Sequence, residues 1–351
     1  MISIEGQTNV GELRIGADSA KGIGQQIGRF VVTTMDIPWR VTQTKLGGMP
    51  EMVIMVETME ETWLEDMLMR LPSCDTVVGV GGGQAIDAAK YIAWRKNIRL
   101  VSIPTILSVD AFVTPAAGIR RNHEVIYLGN TKPDPLVIDF NLLRTAPPEL
   151  NVAGIGDLLS IHTATFDWEY AQSQGKSEYS FSSEDIAKAR QILNDLKPLL
   201  AEIRNNTDRG LTALVEGYMK VNTICLPVGH YRVEEGSEHY LFYELEERLK
   251  RSFVHGYIVG LGLHLMSQLQ NNQFQSICDI MNEVGLKYHP IDLGITKDDL
   301  IASLLNLKNY VMQRPNLWYS IINDSNIDMA WALESTRNLK FAIIESTIYD
   351  L

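Results

Sequence analysis

The chain has 351 residues, of which 45% are hydrophobic and 21% are charged. These proportions exclude a disordered or fibrous chain, and the length suits one large or two medium domains, of which we prefer two. The sequence has 43 acidic against 31 basic residues, which gives a formal charge of −12. This charge disfavours broad contact with nucleic acid or an anionic membrane, so we expect a small-molecule partner.

Cysteine usage and the absence of targeting signals indicate the compartment. Cys74, Cys225 and Cys278 are far apart and odd in number, which argues against a disulfide framework or a cysteine-based zinc site. Residues 1–11 lack the basic start and apolar run of a secretory signal, and no stretch of about eighteen uninterrupted apolar residues occurs. We therefore expect a cytoplasmic protein that does not cross a membrane, and we expect it to form a homo-oligomer.

Strands and helices alternate in the first part of the chain. Apolar, β-branched or Met-rich runs predict strands, and apolar residues at helical spacing predict helices. The predicted strands are 30–35, 52–56, 75–80, 100–103 and 136–138, and the predicted helices are 60–71 and 85–94. This alternation favours a parallel sheet flanked by helices.

A second, helical part is predicted after Pro147 and Pro148, which interrupt the chain. Beyond them strand patterns almost vanish and apolar residues recur every three or four positions, with residues 253–269 as a central core helix. We therefore predict an α/β domain over 1–147 and a helical domain over 148–351. A ligand cleft is expected between them, at the carboxyl ends of the strands.

Three consecutive glycines, Gly81, Gly82 and Gly83, follow the predicted strand 75–80. Glycines let the backbone approach a phosphate closely, and the free N–H groups at the start of the next helix favour negative charge. The spacing differs from the common dinucleotide fingerprint, so these glycines alone fit an ordinary tight turn equally well. Asp87 and Lys90 on that helix are either functional or a weak surface pair.

Asp157, His239 and His255 stand in unusual local settings: Asp157 follows two glycines, and His255 begins the apolar helix. Each alone is more often a helix cap or a hydrogen-bonded core histidine. Together they could form an Asp/His/His site, which suits a divalent cation such as zinc or ferrous iron. The spacing itself does not bring them together, because they lie on separate predicted helices.

Four segments of the chain carry a family resemblance, in matching order and over nearly the whole length. They are Gly79–Lys90, Ile103–Asp110, Ala153–Ser160 with the later Asp167 and Trp168, and Arg232–His239 followed by His255 and Gly256. These segments resemble the metal-dependent polyol dehydrogenase superfamily. It includes glycerol dehydrogenase, sn-glycerol-1-phosphate dehydrogenase, the iron-containing alcohol dehydrogenases and, more distantly, dehydroquinate synthase.

The resemblance implies a dehydroquinate synthase-like fold, with a Rossmann-like parallel sheet domain followed by an all-α domain. It implies NAD or NADP, with the pyrophosphate over Gly81 to Gly83 and with Thr105 and Ser108 nearby. It also implies a divalent metal held by Asp157, His239 and His255, with zinc as first choice and iron or nickel as alternatives. Asp110 matches a family position that contacts substrate, and Asp87 is kept as a candidate cofactor residue.

The activity implied by the resemblance is interconversion of a small polyol, or its phosphate, and the corresponding ketone. The best match is the sn-glycerol-1-phosphate branch, which acts on dihydroxyacetone phosphate. Two residues depart from that branch: Val109 stands in place of a histidine, and Tyr257 in place of a glutamate. We expect these departures to affect substrate identity and to leave metal ligation intact.

Three alternatives stay open. One is glycerol dehydrogenase-type activity on an unphosphorylated polyol. Another is a sugar-phosphate cyclase resembling dehydroquinate synthase, although that branch typically has Glu as first ligand and more basic residues. The third is a cofactor-binding protein without turnover. Two further residues are ambiguous: Arg232 could contact a substrate phosphate or pair with a neighbouring glutamate, and Glu57 could favour NAD over NADP.

Overall fold

The computed structural model describes residues 4–342. Eight strands lie within this range, all of them before residue 140. They are β1 Leu13–Gly16, β2 Phe30–Thr34, β3 Met52–Met55, β4 Thr76–Gly81, β5 Arg99–Pro104, β6 Ala117–Arg121, β7 Glu124–Leu128 and β8 Pro133–Asp139.

Six of these strands form one parallel sheet in the order β1-β8-β5-β4-β2-β3. The central strand β4 is buried along its whole length, as expected for a parallel strand covered on both faces. Strands β6 and β7 pair with each other as a separate antiparallel hairpin. The five strands predicted from the sequence are all present, whereas β1 and the hairpin were not predicted.

Sixteen α-helices also lie within the described residues. They are α1 Asp36–Leu46, α2 Glu61–Arg70, α3 Gly83–Lys96, α4 Phe140–Leu143, α5 Pro148–Leu159, α6 Ile161–Ser173, α7 Ser183–Leu196, α8 Leu200–Arg204, α9 Asp208–Val228, α10 Ser237–Leu249, α11 His255–Leu269, α12 Phe274–Val284, α13 Pro290–Leu293, α14 Lys297–Met312, α15 Ile321–Asp324 and α16 Met329–Ser335. The predicted fold class, a Rossmann-like parallel sheet followed by an all-helical part, is confirmed.

Helix α11 lies in the centre of the helical part and packs against α5 and α10. Two glycines make this contact close, because a Cβ on Gly256 would lie 1.7 Å from the carbonyl oxygen of Ala153, and one on Gly156 would lie 2.1 Å from that of Gly256. Side chains larger than hydrogen at either position would push the helices apart. The glycines therefore bring the start of α11 against the middle of α5.

None of the helices within residues 4–342 is long and apolar enough to span a membrane. The central core helix predicted over 253–269 corresponds to α11, which begins at His255 and is almost wholly buried. The division of the chain at residues 147 and 148 stays a prediction.

Candidate active site

A cleft of about 760 Å³ lies at the carboxyl ends of the strands, between the sheet and the helices. It is lined from the sheet side by the glycine bend and the loop after β5, and from the helical side by α5, α10 and α11. The candidate residues that line it are Gly82, Gly83, Asp87, Thr105, Ser108, Asp110, Asp157, His239 and His255. Ligands commonly bind at this edge of a parallel sheet.

The glycine bend joins β4 to α3. Gly81 has a φ of +149°, a conformation that favours glycine, and it forms the turn but is not among the residues lining the cleft. Gly82 precedes α3 without any side-chain cap, and a Cβ there would lie 2.7 Å from Cδ1 of Ile106. The first N–H groups of α3 are therefore at the cleft wall, where the helix dipole favours an anion.

The loop after β5 connects the two sides of the cleft. Its first residue, Thr105, donates its N–H to the carbonyl of Gly81 at 3.0 Å, and the carbonyl of Ser108 accepts from the N–H of Gly256 at 3.1 Å. The N–H of Asp110 donates to Oδ2 of Asp157 at 3.3 Å. The loop thus fixes the distance between the glycine bend and the residues on α5 and α11.

Lys90, a residue of α3, anchors this loop through its ammonium group. Its Nζ lies 2.7 Å from Oδ1 of Asp87 and donates to the carbonyl of Ala111 at 2.9 Å and to Oγ1 of Thr114 at 3.2 Å. Lys90 is only 1% exposed, so the interpretation of Asp87 and Lys90 as a weak surface pair was wrong. A buried ammonium needs such a full set of partners, and here they tie α3 to the loop that carries Asp110.

Asp157, His239 and His255 converge on one point. Nε2 of His255 lies 3.0 Å from Oδ1 of Asp157, and Nε2 of His239 lies 3.6 Å from the same oxygen and 3.2 Å from the other Nε2. All three donor atoms are within 4.8 Å of one another. One carboxylate oxygen and two imidazole nitrogens at this spacing fit a divalent cation such as zinc or ferrous iron.

Glu238 orients the first of these imidazoles, a role that the sequence did not indicate. Its Oε1 lies 2.9 Å from Nδ1 of His239 and accepts the N–H of Gly236 at 2.7 Å, while Oε2 accepts from Thr163 at 2.6 Å. A carboxylate on Nδ1 keeps that nitrogen protonated and leaves Nε2 with a free lone pair for a metal.

The directions in which the pKa values of Asp157 and His239 shift are those expected where positive charge is favoured. Burial would raise the pKa of Asp157, but His255 and His239 outweigh it and hold the pKa of that carboxyl below its ordinary value. Burial opposes the charge on His239, yet hydrogen bonds to Asp157 and Glu238 raise its pKa well above the ordinary value. A divalent cation can replace these protons, because its ligands must be deprotonated.

Further carboxylates line the same cleft and were not singled out as site residues from the sequence. Glu234 and Glu235 lie in the turn before α10, and both line the cleft with Asp110. Burial, followed by the negative charges of Asp110 and Asp157, raises the pKa of Glu234 well above its ordinary value. A run of two glutamates has no local pattern that predicts such burial.

The structure places the two departures from the family pattern and the two ambiguous residues named above. Val109 lines the cleft, whereas Tyr257 is buried and lies outside its lining, so of these two departures only Val109 touches the site. Arg232 is fully buried beneath Trp318, donates to the carbonyl of Tyr319, and forms no ion pair among residues 4–342. The interpretation of Arg232 as one half of an ion pair was therefore wrong, and its contact with a substrate phosphate stays a prediction. Glu57 follows β3 and lines a small pocket beside the cleft, so its preference for NAD stays a prediction.

Comparison with known proteins gives matches in both sequence and structure. A family model for iron-containing alcohol dehydrogenase matches residues 40–147. The chain is 31% identical over 255 residues to the glycerol-1-phosphate dehydrogenase [NAD(P)+] of Sulfurisphaera tokodaii, covering 72% of this chain and 71% of that protein. It is 29% identical over 251 residues to the protein of the same name from Aeropyrum pernix, covering 71% and 69%.

The fold also matches solved structures over nearly the whole chain. A probable glycerol dehydrogenase from Sinorhizobium meliloti 1021 superposes with a TM-score of 0.72 at 22% identity, covering 95% of this chain and 96% of the other. A sulfoacetaldehyde reductase from Bifidobacterium kashiwanohense, solved in complex with NAD+, gives 0.64 at 15% identity, covering 97% and 99%. On the sequence matches and the shared fold together, the chain belongs to the iron-containing alcohol dehydrogenase family.

Proposed function

We propose that this protein is a metal-dependent, NAD(P)-linked oxidoreductase that interconverts a small polyol or polyol phosphate and the corresponding ketone. The observation that carries the proposal is the convergence of Asp157, His239 and His255 in the cleft that also contains the glycine bend. When bound, the cation supplies a Lewis acid for the substrate oxygen, and the nicotinamide cofactor accepts or supplies hydride.

The protein's own residues would bind the cation, the cofactor and the substrate and orient them relative to one another. Asp157, His239 and His255 would hold the cation, and the carboxylate of Glu238 keeps the ring of His239 in the required tautomer. On the opposite wall, the free N–H groups after Gly82 would bind the cofactor pyrophosphate, with Thr105 and Ser108 beside it. Asp110, whose N–H donates to Asp157, lines the cleft between the two, and we propose that its side chain contacts the substrate.

Holding both reactants in one cleft is itself a large part of catalysis. Hydride transfer requires the reacting carbons to approach to about 3–3.5 Å, and a fixed geometry removes the entropy cost of that approach. The loop from Thr105 to Asp110 serves this purpose, because it is hydrogen-bonded both to the glycine bend and to the metal-ligand helices. Zinc is our first choice of metal, with iron or nickel as alternatives.

The first substrate pair to test is sn-glycerol-1-phosphate and dihydroxyacetone phosphate, because the relatives above carry that name. An unphosphorylated polyol is the second candidate, favoured by the carboxylates that line the cleft. A sugar-phosphate cyclase is a weaker alternative, since the first ligand is Asp157 and the cleft lining contains a single arginine and no lysine among the described residues.

The test is a substrate panel with NAD and with NADP, after chelation and reconstitution with zinc, iron or nickel. We expect metal-dependent change in the absorbance of reduced nicotinamide with at least one polyol or ketone. A product formed without net change in the cofactor would indicate the cyclase instead. Cofactor turnover that is unaffected by complete removal of metal would contradict the proposed mechanism.

A further inference from the structure

The cleft beside the metal-ligand residues is strongly acidic. Its described lining contains six carboxylates, Asp87, Asp110, Asp157, Glu234, Glu235 and Glu246, against one arginine, Arg120. Asp87 is paired with Lys90, and Oε1 of Glu246 lies 2.5 Å from Nη2 of Arg120. Arg120 is therefore already engaged, and the carboxylates of Asp110, Glu234 and Glu235 remain beside the space where a substrate must bind.

Of the buried carboxylates in the described cleft lining, Glu234 is the one with neither an ion pair nor a side-chain hydrogen bond. It is 3% exposed, and its Oε1 has no hydrogen-bond partner anywhere in residues 4–342. Its backbone is fixed, because its N–H donates to the carbonyl of Tyr231 at 2.9 Å and its carbonyl accepts from Oγ of Ser160 at 2.6 Å. A buried carboxylate without a partner is costly, so such an atom in a ligand cleft points to a donor on the ligand.

Tyr231 adds a second unpaired atom at the same place. Its hydroxyl is buried without a partner among the described residues, and its ring lines the cleft with Glu234. Glu235 is different, since its Oε1 accepts from the hydroxyl of Tyr243 at 3.0 Å, and that hydroxyl lies 3.2 Å from the hydroxyl of Tyr127. Tyr231 and Glu234 thus offer unpaired polar atoms without any ion-pair partner in the described chain, whereas the unpaired oxygens of Asp87 and Glu246 belong to carboxylates already paired with Lys90 and Arg120.

We propose that Glu234, assisted by the Tyr231 hydroxyl, binds a hydrogen-bond donor of the substrate, either a hydroxyl or a protonated amino group, and disfavours a phosphate. The inference rests on the proposed function and names its substrate class. A cation held by Asp157, His239 and His255 would favour the ionised form of Glu234. An ionised carboxylate only accepts hydrogen bonds, so it pairs with O–H or N–H groups. A phosphate offers acceptor oxygens and negative charge, and it would meet Asp110, Glu234 and Glu235 without a free lysine or arginine in the described lining.

The test compares glycerol, 3-amino-1,2-propanediol and sn-glycerol-1-phosphate as substrates of the metal-loaded enzyme. We expect kcat/KM to be higher for at least one of the unphosphorylated compounds than for the phosphate ester. Glu234→Gln keeps the size of the side chain and removes its charge. It should lower kcat/KM for the preferred compound about tenfold to a hundredfold, mainly through KM, and affect the phosphate ester less.

Two further variants separate a loss of substrate recognition from a loss of correct folding. Tyr231→Phe should produce a smaller loss in the same direction, because it removes one uncharged partner. Glu216→Gln changes the same charge on α9, outside the cleft lining, and should leave the order of substrates unchanged. Metal content and cofactor affinity of Glu234→Gln should match the wild type, which a misfolded variant would not do.

Failure of the inference and failure of the proposed function give different results. Preference of the wild type for sn-glycerol-1-phosphate, or an equal loss for all three compounds in Glu234→Gln, would overturn the inference and leave the oxidoreductase intact. No turnover of any polyol or ketone by protein that binds metal and cofactor would overturn both. A preference for the amino compound over glycerol would identify the donor as an ammonium group.

Discussion

The two walls of the cleft differ in the chemistry that they use. The sheet wall presents backbone at the glycine bend, with β4 buried behind it and no charged group within that strand. The helical wall buries charged and titratable side chains, among them Asp157, Glu234, Glu238 and His239. Binding a cofactor phosphate requires shape and N–H groups, whereas holding a metal requires ionisable side chains kept in fixed positions.

This difference predicts that substitutions on the helical wall act through charge and those on the sheet wall through shape. The largest effect is expected for His239→Ala, which removes one of the three proposed metal ligands. We expect loss of stoichiometric metal and a fall in turnover of about a thousandfold or more. Metal analysis and steady-state kinetics measure both, with His162→Asn as control because His162 lies outside this cleft. A fully active variant without metal would contradict the ligand assignment.

A pH-dependent loss of stability is the next largest effect, and it arises deep in the helical part. His264 is buried, its Nε2 has no hydrogen-bond partner within the described chain, and burial lowers its pKa to about 4. The unfolded chain takes up this proton near pH 6.5, whereas the folded chain does not until about pH 4. The contribution of His264 to the free energy of unfolding is therefore fully present above pH 6.5. It is lost as the pH falls toward 4, by up to about 3 kcal/mol.

Denaturant unfolding at several pH values, in the presence of a chelator, measures this dependence. His264→Phe should flatten the difference between pH 7 and pH 4.5, while His123→Gln, which alters an exposed histidine, should not. If the stability of the wild type and of His264→Phe changed equally with pH, the imidazole would not be the group responsible.

Glu238→Gln should have a smaller effect, confined to the metal. The amide retains the size of the carboxylate but weakens its hydrogen bond to Nδ1 of His239, so metal affinity should fall about tenfold to a hundredfold. Competition with a chromophoric chelator measures the dissociation constant. Glu247→Gln, on the same helix and outside the cleft lining, is the matched control. Unchanged metal affinity would remove Glu238 from this role.

Gly82→Val tests the opposite wall and should have the smallest effect. The new side chain would meet Ile106 and fill the space over the start of α3. We expect KM for the nicotinamide cofactor to rise about tenfold, with metal content unchanged, because the change affects shape alone. A loss of metal in this variant would show that the two walls are not independent.

The sequence predicted the sheet wall better than the helical wall, for a physical reason. Strands such as β4 and the glycine bend are encoded in consecutive residues, so local patterns are sufficient. Strand β1 has only four half-buried residues, and the β6–β7 hairpin is mostly half-buried or exposed along β7, so neither has a clear apolar pattern. Helix α1, which was not predicted, contains Pro38 in its first turn, a position where proline is tolerated.

The helical wall depends on contacts between distant residues. Asp157, His239 and His255 were nominated through a family resemblance, since their spacing along the chain does not imply contact. The roles of Glu238 and Lys90 follow from burial and hydrogen bonds that no short motif encodes. Glu234 is an ordinary glutamate in the sequence, and its position in the cleft, with a buried carboxylate that lacks an ion pair among the described residues, distinguishes it in the structure.

X-ray absorption spectroscopy of the zinc-reconstituted protein tests the central claim most directly. We predict one zinc ion per chain whose nearest shell contains two imidazole nitrogens and carboxylate or water oxygens, with the imidazole signal halved in His239→Ala. Zinc bound without imidazole scattering, or a spectrum that does not change in His239→Ala, would contradict the account.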